Sequence, residues 1–203
     1  MINVADITGL AGATLALTAP LLLAPPIRRL KRVHIGLLMG ATAIVVAAPI
    51  GPLPLAAYAR GLFGDLSVTT NVLLVIGIFP HLSGRRIVDR REETALCRLV
   101  AVTALVFYPL ALGFGPIDPY RLGYGSPWFL AGLLALALVA LAGRFNLISI
   151  CIALAVMAHA IAWNESTNLW DYLLDPLVSL YAIVVVLSGA LRAVAHAGGR
   201  NAC

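Results

Sequence analysis

Three carboxylates fall within eleven residues near the C-terminal part of the chain: Glu165, Asp171 and Asp175. They alternate with Trp163, Trp170 and Tyr172, and His159 precedes them. Carboxylates beside an imidazole can bind a cation or divide the roles of general acid and general base. Asp171 and Asp175 are four apart, so they share one face if the stretch is helical. The same residues fit a purely structural role, which is the weightier reading. Asp175-Pro176 is a good helix start, an aspartate cap followed by a proline in the first turn. Asp171 can cap a short preceding helix, and Asp118 and Arg121 in the neighbouring loop can pair with these acids.

The other reactive side chains are scattered. His34, His81, His159 and His196 include no H-x-x-x-H spacing, so no helix-borne zinc site is encoded locally. His34, His81 and His196 all fall at one set of helix ends, where ordinary interfacial histidines are expected in preference to metal or haem ligands. His159 lies about one turn inside a helix end, placed to hydrogen-bond across helices. Cys97, Cys151 and Cys203 are an odd count without a C-x-x-C spacing, which gives neither a disulfide framework nor a zinc motif. No P-loop, G-x-S-x-G elbow or dinucleotide fingerprint occurs. No cofactor is expected.

Two superficial likenesses fail on particular residues. Glu92-Glu93 followed by Arg98 is close to the E-E-x-x-x-R motif of CAAX-type intramembrane proteases. The arginine is one residue late, about 100° of helix rotation, and the matching histidines are missing. Retinal proteins need a lysine in the last span for the Schiff base, whereas the lone lysine, Lys31, lies in a loop.

The elements that must position these residues follow from composition. Apolar residues are 61% of the chain and charged residues 11%, against roughly 45–50% and about 25% in soluble domains. So few charges cannot cover a water-facing surface. The expected fold is all-α, a single polytopic transmembrane domain over 1–203 of about seven spans, with six to eight compatible. A crossing needs about 20 apolar residues. The candidate spans are 7–24, 33–48, 66–82, 99–114, 127–142, 145–163 and 176–195. Residues 49–65 are broken by Pro49, Pro52 and Pro54 and fit either an interfacial helix or part of a span. Gly36 and Gly40 form a G-x-x-x-G pair, expected to let another helix approach closely.

Alternating the loops puts twelve Arg and Lys on one side against Arg60 and Arg121 on the other. The positive-inside rule assigns the first side to the cytoplasm, with the N-terminus outside and the C-terminus inside. Six of the nine acids then lie outside, beside an aromatic belt that includes Tyr120, Trp163 and Trp170. The net charge of +5 follows from those short loop clusters. They point to lipid headgroups, and no nucleic-acid partner is expected. Arginine dominance and abundant alanine suggest a bacterial source and an inner-membrane location. The partners expected are the lipid bilayer and other membrane subunits. With almost no charge inside the spans, a proton pump is disfavoured. A non-enzymatic small permease-like carrier or accessory subunit is the first functional expectation. A membrane-embedded enzyme using Glu165, Asp171 and Asp175 at the outer face, on a lipid-linked or small substrate, is the second.

Overall fold

A computed structural model describes residues 4–23 and 32–200, with residues 4–8, 23, 59, 62, 63 and 194–200 described by backbone alone. Arg28, Arg29, Lys31 and Cys203 lie outside the described residues, as do the side chains of Asp6, His196 and Arg200. The chain is mostly helical. In order come α1 (Val4–Leu23), α2 (Arg32–Ala47), α3 (Leu55–Phe63), α4 (Val68–Ser83), α5 (Arg90–Ala111), α6 (Pro127–Ala142), α7 (Asn146–Ala160), the single turn α8 (Trp170–Leu173) and α9 (Pro176–Arg200).

Local chemistry sets most helix ends. Ser67 caps α4 by accepting from the Thr70 amide at 3.1 Å. Gly84 closes α4 in the left-handed region at φ 73°, where its N–H reaches the Pro80 carbonyl. Ser126 caps α6, with Pro127 in its first turn. The proline-rich stretch that no helix can cross folds as a minimal hairpin: Pro49–Ile50 pairs antiparallel with Leu53–Pro54. Gly51 supplies the positive φ of that turn, and the nine-residue α3 follows directly. A tight break at Gly143-Arg144-Phe145 separates α6 from α7, with Arg144 itself at φ 58°.

Packing divides the helices into two groups that share α4. The larger core joins α4 to α9 around Val100, Ala104, Phe107, Ile148, Ala155 and Ala182. A smaller core joins α1, α2 and α4 around Leu22, Ile35 and Ile78. Above it a Thr18–Thr42 hydroxyl bond of 2.8 Å links α1 to α2; one hydroxyl donates to the other, and the accepting threonine keeps its own proton for a carbonyl of its helix, Thr14 or Met39. Burial on α2 runs along Ile35, Thr42 and Val46. Gly36 and Gly40 stand one or two residues off that stripe, and a Cβ at either would meet nothing within 4 Å. Within the chain a close helix approach is seen instead at Gly12 of α1, whose Cβ would lie 3.3 Å from the Asn71 side chain of α4.

Polar contacts gather at the two ends of the helices. At one end a Cβ on Gly84 would lie 2.7 Å from an Arg32 nitrogen. There too Arg86 pairs with Glu93 at 2.7 Å, Arg91 sits over the Phe145 ring, and Glu92 accepts from the Leu147 amide at 2.7 Å, capping α7. The other end, reached along α4 from Gly84 back to Ser67, holds Arg60, Asp65, Tyr120, Glu165, Asp171 and Asp175. Between the ends the outward surface is apolar, with Ile44 73%, Val139 70% and Leu180 63% exposed. Among the described residues, Arg90–Ala111 and Pro176–Ala193 are long and apolar enough to cross a membrane, and five shorter apolar helices accompany them.

Candidate functional site: a cleft at the acid-bearing end

The helix that carries Asp175 begins where α4 begins, and the carboxylate joins the two starts. Asp175 is 5% exposed. Its Oδ1 accepts from the Val178 amide at 2.8 Å, which caps α9. Its Oδ2 accepts from the Ser67 amide at 2.8 Å and from the Thr70 hydroxyl. One carboxylate thus neutralises the positive ends of two helix dipoles and satisfies three donors. The structural role anticipated for Asp175 holds and is larger than expected, because it also braces a helix more than a hundred residues earlier.

Asp171 does not cap α8, contrary to expectation. That work falls to Asn168, whose Oδ1 accepts from the Trp170 amide at 2.9 Å. The Oδ2 of Asp171 accepts instead from the Tyr120 hydroxyl at 3.0 Å and the Ser166 hydroxyl at 2.5 Å. Burial and the carboxylate it faces hold the Tyr120 phenol well above its usual range. The neighbouring loop therefore pairs through Tyr120; Asp118 accepts from the Tyr120 amide at 3.0 Å, and Arg121 is exposed. Since Leu174 is extended, Asp171 and Asp175 are not on one helical face. The cleft wall unites them all the same.

The wall is anchored by the loop after α7. Asn168, fully buried, donates to the Tyr120 carbonyl at 2.9 Å, and the Leu169 amide reaches the Gly123 carbonyl at 3.0 Å. Only a glycine fits at 123, since a Cβ there would lie 1.7 Å from Asn168 Oδ1. Trp170 donates to the Pro119 carbonyl and stacks between Phe107 and Phe129 at 4.4 and 4.6 Å. Tyr172 is completely buried, its hydroxyl placed among the Asn164 amide and the carbonyls of Asn164 and Ser166 at 3.0–3.2 Å. Burial raises the Tyr172 phenol, opposed by the Asn164 backbone bond and reinforced by the charges of Asp65 and Asp171.

Glu165 belongs to a separate ionic junction. Arg60 Nε meets Asp65 Oδ1 at 2.7 Å, and Arg60 Nη2 meets Glu165 Oε1 at 2.9 Å. The Glu165 amide donates to Asp65 Oδ2 at 2.9 Å. The Glu165 side chain is nevertheless 72% exposed.

Together these residues line a cleft of about 870 Å³, which brings Glu165, Asp171 and Asp175 into one space with Arg60, Asp65 and Tyr120. His159 is not part of its lining. Its Nε2 lies 3.1 Å from the Thr167 carbonyl and its ring packs edge-on against Tyr172, so it braces the loop from behind. Among the described residues, no group of three or more His, Cys, Asp or Glu side chains is arranged to hold a metal ion. Both carboxylate oxygens of Asp175 and the Oδ2 of Asp171 already accept hydrogen bonds, and Glu165 is the cleft carboxylate most open to solvent.

Arg60, Asp65 and Tyr120 are members that sequence reasoning did not gather. One signal for Arg60 was present: it is one of two basic residues on the acidic side of the loop alternation. No protein-family model, curated protein or solved structure matches this chain.

Proposed function

We propose that the chain is a non-enzymatic multi-pass membrane protein with seven spans, the N-terminus outside and the C-terminus in the cytoplasm of a bacterial inner membrane. In this reading it serves as an accessory subunit of a membrane assembly or as a small carrier. An apolar outward surface between two polar ends supports the spanning part, since so much exposed hydrocarbon needs a cover of lipid or protein. The observation that carries the non-catalytic part is the occupation of the acids: Asp175 is held by three donors and Asp171 by two hydroxyls. A carboxylate so committed is a brace, and moving a proton onto it would weaken the fold.

Purification of the full chain in mild detergent, followed by native mass spectrometry, tests this function. Stoichiometric copurification of other membrane polypeptides is expected for a subunit. A monodisperse lone protein that moves a solute in vesicles would leave only the carrier. Reporter fusions at Asp118 and Glu165 should give the external signal, and at Arg90 the cytoplasmic one; a shared side for all three would overturn the orientation.

The second reading is an outer-face enzyme, favoured by one observation: the exposed Glu165 carboxylate stands at a cleft large enough for a small substrate. Turnover abolished by Glu165→Gln with protein level intact would establish it.

A further inference from the structure

We infer that the chain binds a single-chain amphiphile with an ammonium-bearing head, taking the apolar tail from the bilayer side and the head into the acid-lined cleft. This rests on the membrane-spanning reading above.

Three adjacent cavities rise in polarity from one to the next. The first is an open apolar groove of about 690 Å³ between α1 and α7, floored by Val68, Val72 and Ile76 of α4. It follows α7 from Leu147 to Ile161, about 21 Å of helix and more than the roughly 15 Å of one leaflet. Gly12, Asn71 and Trp163 line both this groove and a second cavity of about 290 Å³, enclosed by Ala13, Ala16, Val46 and Leu55. Arg60, Gly64, Asp65 and Asn164 line both that second cavity and the polar cleft. Each space therefore shares a wall with the next, from lipid-facing groove to acid-lined cleft.

The charge of the last space selects the head. Asp65, Glu165 and Asp171 line the cleft with one guanidinium, that of Arg60, among its described residues, while the buried Asp175 charge is already balanced by the two helix starts it caps. Three negative charges against one positive favour a cation and disfavour a carboxylate or phosphate. Tyr108, Tyr120 and Phe107 add aromatic wall, and ring faces attract an ammonium group. The Glu165 carboxylate is the exposed member able to turn toward it. The α1 side of the groove belongs to the smaller packing group and the α7 side to the larger, so the occupant sits on the seam between them.

Trp163 provides the measurement, because it lines both the groove and the inner cavity. The full chain in neutral maltoside micelles is titrated with a brominated long-chain alkylamine and with a brominated fatty acid of equal length, reading tryptophan quenching. Saturable quenching by the amine, with Kd about tenfold below that of the fatty acid, is expected, and Trp163→Phe should remove the saturable component. Ala16→Phe, which fills the inner cavity, should weaken amine binding about tenfold; Ala13→Phe repeats the test if the first variant melts early. Glu165→Gln should weaken it roughly threefold. Equal or tighter binding of the fatty acid overturns the ammonium head. No saturable quenching by either probe overturns the site. Alkaline carbonate extraction of native membranes separates the failures: a stripped protein sinks the spanning reading, whereas a retained protein that binds neither probe sinks the amphiphile site alone.

Discussion

Two acid junctions tie distant parts of the chain together at the same end of the molecule, and they do it in opposite ways. At the first, Asp175 joins the starts of α4 and α9 from a position 5% exposed, with backbone amides as two of its three donors. At the second, Asp65 and Glu165 join the α3–α4 loop to the loop after α7 through Arg60, and the Glu165 side chain is 72% exposed. Both bridge about a hundred residues of sequence, and both use carboxylates. Burial decides what each is worth. A buried carboxylate leaves orphaned donors when removed, whereas water replaces an exposed one at little cost. The first junction is therefore fixed architecture; in the second, Arg60 and Asp65 are mostly buried and the Glu165 arm alone is free to respond to a ligand.

The sharpest way to break this contrast is Asp175→Ala. It strands the Ser67 and Val178 amides and leaves the Thr70 hydroxyl only the Ser67 hydroxyl, and a loss of about 4 kcal/mol is expected. The measurement is membrane abundance together with the thermal midpoint of the purified protein. Normal abundance and melting would show that the junction is dispensable. Gly123→Ala comes next. Its Cβ displaces Asn168, which holds both the Tyr120 carbonyl and the α8 start, and about 2–3 kcal/mol should be lost. A wild-type melting curve for this variant would mean that the loop relaxes without cost.

Tyr120→Phe should cost about 1–2 kcal/mol, since Asp171 keeps the Ser166 hydroxyl. This residue also sets a pH dependence. Its phenol ionises at higher pH in the folded chain than in the unfolded one. The stabilisation is therefore complete below the ordinary tyrosine value near 10 and is lost as pH rises toward the elevated folded value. Thermal melts from pH 8 to 11 should fall more steeply for wild type than for Tyr120→Phe. Parallel curves would place the alkaline sensitivity elsewhere.

How much of this was legible in the sequence depended on the range of the interaction. Ser126-Pro127, Asp175-Pro176 and the Gly143-Arg144 break were readable because capping and turn chemistry act within four residues. The proline stretch 49–54 announced an interruption, though not that it would fold as a hairpin feeding α3. The spacing of Gly36 and Gly40 alone does not say which face of α2 meets a neighbour within the chain; Ile35, Thr42 and Val46 do. The cleft itself was half visible. Glu165, Asp171 and Asp175 are neighbours in sequence, but Arg60, Asp65 and Tyr120 join them only through tertiary packing, and no local period encodes that. His159 shared the neighbourhood of the acids and still turned to the Thr167 carbonyl.

The smallest stability effect belongs to Glu165. Its exposed carboxylate meets a mostly buried Arg60, and Arg60 has a second partner in Asp65 at 2.7 Å. Glu165→Gln should therefore shift stability by less than about 1 kcal/mol, and added salt should erase even that. The Glu165 amide, which donates to Asp65, is untouched by the change, so the loop keeps its anchor. Melting at low and high ionic strength measures this directly. A loss approaching that of Asp175→Ala would mean that exposure does not separate the two junctions, and the Arg60 cluster would have to be regarded as a second buried brace.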